Sequence, residues 1–109
     1  MRSVRARSLD SEGKPKITEK VFQEQVRKAA IICGWRYFHA WNSMHSAKGF
    51  PDVCMTKRGR LIFAELKSDT GHLSDEQVEW LEALRLVPCA EVFVLRPGNF
   101  DSFWEVLGR

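Results

Sequence analysis

Asp52, Glu65 and Lys67 are the residues of this chain whose types and spacing are best suited to chemistry. They sit in Gly49-Phe50-Pro51-Asp52 and Ala64-Glu65-Leu66-Lys67, on either side of the basic segment Thr56-Lys57-Arg58-Gly59-Arg60. The flanking runs, Val53 to Met55 and Leu61 to Leu66, are apolar and β-prone, which predicts a hairpin turning at Arg58-Gly59. A two-residue turn there sets Lys57 opposite Arg60 and, carried back along the ladder, Asp52 opposite Glu65. Opposed residues of an antiparallel pair bring their Cβ atoms to about 4.5–5.5 Å, near enough for two carboxylates to hold one cation. Lys67, two residues past Glu65, points to the same face. A slip of one residue would send Asp52 to the other side, so the register decides whether the trio exists.

Two close carboxylates repel each other unless a cation lies between them, and hard oxygen donors suit Mg²⁺ or Mn²⁺. An ion held there would polarise a phosphoryl oxygen and acidify water. Lys67 would orient that water or offset charge on phosphorus, with the Leu66 carbonyl as an extra ligand. The same letters also suit a surface hairpin with an incidental Glu65/Lys67 pair, and spacing alone does not separate the two.

The elements that must position these residues follow from periodicity and stop signals. Residues 1–16 form a polar, basic arm, and a single domain is expected over 17–109. Thr18 caps a helix whose apolar face is Phe22, Val26, Ala29, Ala30 and Cys33, ended by Gly34. Trp35 to Trp41 reads as a strand and Asn42 to Gly49 as a polar loop into the hairpin. Ser74 and Gln77 make a capping box for a second helix, with Leu73 and Val78 as its staple. Val78, Leu81, Leu84 and Trp80 face inward there, and Asp75, Glu76, Glu79 and Glu82 face water. Ala90 to Leu95 is a strand, Pro97-Gly98-Asn99 a turn, and Phe100 to Leu107 a short helix. The class is α/β, in the order αβββαβ plus the terminal helix.

Glu19, in the first turn of the opening helix, shares a face with Phe22, Gln23 and Val26 and is expected to look toward the sheet, although a helix start favours an acid in any case. Glu24 is expected on the wet side. Cys33, Cys54 and Cys89 are odd in number and set in apolar segments, which predicts three buried small hydrophobes with no zinc site and no disulfide. Of the tryptophans, Trp41 at the loop edge is placed to stack on an unpaired base, while Trp35, Trp80 and Trp104 read as core.

The net charge of +3 comes from the arm, where five basic residues meet two acidic ones. From Ile17 to Lys67 there are nine basic and four acidic residues, and from Ser68 onward three and eight. A phosphate-facing surface therefore belongs to the first half. Its candidates are Arg2, Arg5 and Arg7 in the arm, Ser43, His45 and Lys48 before the motif, and Lys57, Arg58 and Arg60 at the hairpin tip. No apolar run approaches the roughly 20 residues of a membrane span, so a cytoplasmic protein is expected.

Gly-Phe-Pro-Asp, then Glu-x-Lys, then a helix bearing Gln77, resembles the PD-(D/E)xK phosphodiesterase superfamily. Together with Ser68, Gly71, Leu73 and Ser74, the ordered set is similar to the VRR-NUC nucleases in a stand-alone, phage-like size, from about Thr18 to Pro97. The resemblance implies a restriction-endonuclease-like core, a central mixed sheet flanked by helices. It also implies a Mg²⁺- or Mn²⁺-dependent endonuclease with Asp52 and Glu65 as metal ligands, Glu19 completing the set and Lys67 catalytic. Gln77 is then at the site's edge, touching substrate phosphate or the lysine. Members of this size are associated with branched DNA such as four-way junctions and act as homodimers. The apolar segment Phe100, Phe103, Trp104 and Leu107 is the expected dimer surface. Two other readings stay open: a nuclease of flaps, nicks or specific sequences in linear DNA, and a non-catalytic DNA-binding subunit.

Overall fold

The computed structural model describes residues 17–40 and 47–109. Arg2, Arg5, Arg7, Trp41, Ser43 and His45 lie outside the described residues. The elements run α1 (Glu19–Ile32), β1 (Arg36–His39), β2 (Val53–Lys57), β3 (Arg60–Leu66), α2 (Asp75–Arg85), β4 (Ala90–Leu95), a 3₁₀ turn (Pro97–Asn99) and α3 (Phe100–Gly108). They build one four-stranded mixed sheet in the order β1-β2-β3-β4. The first three strands are antiparallel. β4 joins β3 in parallel, which requires the crossover that α2 supplies.

Local signals set most of these boundaries. The Thr18 hydroxyl accepts from the Val21 amide at 3.2 Å, and Gly34, at φ +88°, follows the end of α1. Arg58 and Gly59 both have positive φ, 50° and 83°, the pattern of a type I′ turn whose twist matches its strands. The Thr56 hydroxyl donates to the Arg60 carbonyl at 2.7 Å, which ties the two strands together beside that turn. Of the strand expected over Trp35 to Trp41, the described part is regular from Arg36 to His39, and the Trp35 side chain leaves the sheet for the core.

One sheet face is closed and the other half open. Val53, Met55, Ile62, Ala64, Leu66 and Leu95 pack with Phe22, Val26, Ala29 and Ala30 of α1 and with Phe103 and Leu107 of α3. Phe22 meets Phe100 edge-on at 5.7 Å, and Phe93 meets Phe103 at 5.1 Å. Phe103 and Leu107 are thus used up inside the subunit. The terminal segment is apolar because it closes this core, so the expected dimer surface there is reduced to Trp104, which is exposed.

Arg60 corrects a second expectation. Its guanidinium makes a bidentate pair with Glu91 at 2.7 and 2.8 Å, and donates to the carbonyls of Val106 and Arg109 at 3.1 and 3.2 Å. It also lies 4.8 Å over the Trp35 ring, whose own N–H donates to the Leu107 carbonyl at 2.8 Å. Arg60 therefore neutralises the C-terminal end of α3 and clamps it to the sheet; it does not face outward to phosphate. The cysteines also depart from expectation, since Cys33 and Cys54 are half-buried and Cys89, in the turn before β4, is exposed. Among the described residues no helix is long and apolar enough to cross a membrane.

Candidate active site

The half-open face carries the carboxylates. The ladder pairs Lys57 with Arg60 and Val53 with Ala64, the register that the turn predicts. Beyond its last regular pair, the Asp52 carboxylate accepts the Leu66 amide at 3.0 Å, and the Asp52 carbonyl accepts the Ala40 amide at 2.9 Å. Asp52 is thereby held between β1 and the end of β3, beside Glu65.

The preceding motif residues supply the hold. Pro51 is fully buried, and the Phe50 ring wedges between β3 and α2, 5.8 Å from Phe63 and 4.9 Å from Trp80, edge-on to both. Gly49 has φ +85°, and a Cβ there would fall 2.5 Å from the Glu76 backbone carbon. No larger residue fits without pushing α2 off the sheet. Gly49→Ala should therefore lower the unfolding free energy by about 2–4 kcal/mol in urea denaturation, from the left-handed backbone and the backbone clash together. A change below about 0.5 kcal/mol would mean that this approach of loop and helix is not tight.

Glu65 is only 2% exposed. Burial pushes its carboxyl up to about 8, with the Asp52 carboxyl adding to the rise and Lys67 opposing it. One oxygen, Oε2, accepts from the Gln77 amide at 2.8 Å; the other, Oε1, is buried and without a partner. Gln77 does this while also forming the capping box. Its Oε1 accepts from the Ser74 amide at 2.8 Å, and its own backbone N–H donates to the Ser74 hydroxyl at 3.1 Å. The cap fixes which end of the Gln77 amide faces the sheet, so its NH₂ must point at Glu65. Gln77 thus caps α2 and reaches the site at once, but its partner there is Glu65, where contact with substrate phosphate or Lys67 was expected.

Lys67 follows the end of β3, its amide bonded to the Leu95 carbonyl at 2.9 Å. Arg96 holds the loop that continues from it by donating to the carbonyls of Ser68 and Gly71, and the Asp69 carboxylate accepts the Gly98 amide at 2.8 Å. No sequence signal links Arg96 to that loop, because its partners lie 28 and 25 residues away.

The remaining expectations divide. Glu19 is exposed at the first turn of α1, so it does not turn from water as expected; side-chain direction at a helix start is free of packing from a preceding turn. Among the described residues no three His, Cys, Asp or Glu side chains converge as a ligand set. Glu24 is exposed and pairs with Arg27. Lys48 reaches Glu76 at 3.6 Å in an open surface pair. Lys57 and Arg58 line an open cavity of about 550 Å³ with Ile32, Cys33, Gly34, Arg36 and Thr56, at the other end of the sheet from Glu65.

The fold is similar to that of Hjc of Archaeoglobus fulgidus, a Holliday junction resolvase. The superposition has a TM-score of 0.51 at 21% identity and covers 70% of this chain and 66% of that one, just under two thirds of its length. The fold is restriction-endonuclease-like. No family model and no curated protein matches the chain.

A buried, unpartnered Glu65 oxygen beside Asp52 is chemically suited to a hard divalent cation. The ion would remove the repulsion between the carboxylates and occupy the lone pairs that protein donors leave unused.

Proposed function

We propose that this chain is a Mg²⁺- or Mn²⁺-dependent endodeoxyribonuclease of the PD-(D/E)xK superfamily and VRR-NUC type, acting on branched DNA. The observation that carries the reading is Glu65: a carboxylate is buried against a second carboxylate, with one oxygen left without a donor. A purely structural position would hold an apolar residue here at lower cost.

Asp52 and Glu65 would hold the ion, with the Leu66 carbonyl as a third donor. When bound, the ion supplies charge to polarise the scissile phosphate and to acidify water. Gln77 keeps the Glu65 carboxylate in one orientation. The Leu66 amide does the same for Asp52, leaving the other Asp52 oxygen for the ion. Lys67 brings a positive charge to the reacting phosphate and aligns the attacking water, and the loop bonds from Arg96 hold the segment that follows it at the end of β3. Lys48, Lys57 and Arg58 would meet the DNA backbone, together with Arg5, Arg7, Ser43 and His45. Symmetrical cutting of a four-way junction requires two such sites related by a two-fold axis, hence a homodimer. Hjc, which shares the fold, is a Holliday junction resolvase.

The test is a panel of labelled four-way junction, flap, nicked and linear duplex DNAs, each with Mg²⁺, Mn²⁺ or chelator, alongside light scattering of the protein. Metal-dependent cutting ranked highest on the junction by a dimer is expected. Cutting of linear duplex at least as fast as junction would overturn the branched-DNA assignment, and tight binding with no cutting under any ion would overturn the nuclease.

A further inference from the structure

The sheet face that carries Asp52 and Glu65 is covered unevenly. Toward β4 it lies under α2, and Phe50 fills the space over Phe63. Toward β1 it is open: Phe38 is 65% exposed, Arg36 and Thr56 are exposed, and Cys54 is only half-buried. The register pairs Arg36 with Thr56, and Phe38 with Cys54, itself opposite Phe63. Alternate residues share a face, so Arg36, Phe38, Thr56, Cys54, Asp52 and Glu65 all lie on this one side. From the hairpin end toward the site they form a strip: Arg36, then Phe38 about 7 Å farther, then Asp52 one step beyond Cys54.

A phenylalanine this exposed, in regular strand, gains nothing from the core. Its backbone is nevertheless fixed to the site, because the ladder that holds Phe38 against Cys54 runs on through the Ala40–Asp52 bond at 2.9 Å. A ring preset beside a phosphate-cutting centre is what base stacking uses: any base presents a π face, and an ordered platform loses little entropy on binding. The far end of the strip is basic at Arg36, which lines the open cavity of about 550 Å³ together with Arg58 of the turn. The strip therefore offers an aromatic ring and then cations to a strand that has a phosphate at Asp52 and Glu65.

Resting on the nuclease reading above, we propose that Phe38 stacks on an unpaired base next to the scissile phosphate, while Arg36 holds a backbone phosphate of the same strand farther along. The substrate class follows. Within a paired duplex the base faces are covered by their neighbours and the ring has nothing to grip. At a branch or bulge, unstacking is cheapest, and the strip selects such a strand over continuous duplex.

Binding of a dT₁₂ oligonucleotide, and of a bulged duplex with 2-aminopurine at the unpaired position, tests this in chelator, where no metal-dependent cutting takes place. Phe38→Ala should weaken dT₁₂ binding about 10-fold and restore 2-aminopurine fluorescence, Phe38→Trp should keep both, and neither should move Tm, since the ring is exposed. Arg36→Ala should weaken binding and reduce the slope of log K against log salt by about 1. Unchanged binding in Phe38→Ala would overturn the platform even if junction cutting is intact. So would light scattering that shows Phe38→Ala splitting a dimer, since the face would then be a subunit contact. A protein that binds dT₁₂ through Phe38 yet cuts no DNA with Mg²⁺ or Mn²⁺ would overturn the nuclease reading alone.

Discussion

Asp52→Asn and Lys67→Met are each expected to lower single-turnover cleavage of a four-way junction by about 10³-fold or more, with Mg²⁺ and with Mn²⁺, while leaving the fold intact. The structural half of this result comes from the hydrogen bonds. An asparagine at 52 can still accept the Leu66 amide through its side-chain oxygen, so the link between the loop and β3 at 3.0 Å survives, and only the negative charge is lost. Lys67 is anchored by its backbone amide on Leu95, which a methionine retains. The chemical half comes from charge. Without the second carboxylate the site loses half of its formal negative charge for a cation, and without Lys67 the cation next to Glu65 that would offset charge building on phosphorus is gone. The check is a single-turnover rate beside a thermal melt and a binding isotherm in chelator. A rate within 10-fold of the unsubstituted protein for either variant would remove that residue from the mechanism; a lost rate with a lost melt would report unfolding instead, and Asp52→Glu would then be measured.

The second large effect is on stability. With its carboxyl pushed up to about 8 by burial and by Asp52, Glu65 keeps its proton in the folded protein at pH values where the unfolded chain, near 4.5, has released it. Below about pH 4.5 both states are protonated and the group costs nothing. Between there and about pH 8 folding must take up a proton, so stability falls as pH rises; above that, the full cost of a buried charge is present. Compared with Glu65→Gln, which removes the titration, the metal-free protein should lose Tm progressively from about pH 5 to pH 8, by about 10 °C in all. Mn²⁺ replaces the proton, so its stabilisation should grow over the same window and be absent in Glu65→Gln. Calorimetry at fixed ionic strength reads both. Parallel Tm–pH curves for the two proteins, or equal Mn²⁺ stabilisation in both, would show that Glu65 is neither buried as a charge nor part of a cation site.

How much of this was legible in the letters depends on the range of the force involved. The hairpin register was legible because Arg58-Gly59 admits the two positive φ values of a tight turn, and period-two alternation then fixes which residues oppose each other. The Ser74–Gln77 capping box was legible for the same reason, since its partners are three residues apart. The pairing of Asp52 with Glu65 follows from the hairpin register.

Tertiary structure decided the rest. Arg60 looked like a phosphate contact until Glu91, 31 residues later, and the last carbonyls of α3 claimed it. Phe103 and Leu107 looked like a subunit contact until the sheet closed over them. Glu19 met water and not the sheet, and Cys89 was exposed, because a helix's first turn and a loop are oriented by what docks beside them. Whether Gln77 reaches Glu65, how deeply Glu65 is buried, and that Phe38 stays open while Phe63 is covered all depend on where α2 comes to rest. Sequence alone determined the turns, the caps, the alternation and so the pairing of two carboxylates. Only the packing of layers determined their dielectric surroundings, because burial is a sum over residues distant in the chain, and no local pattern contains it.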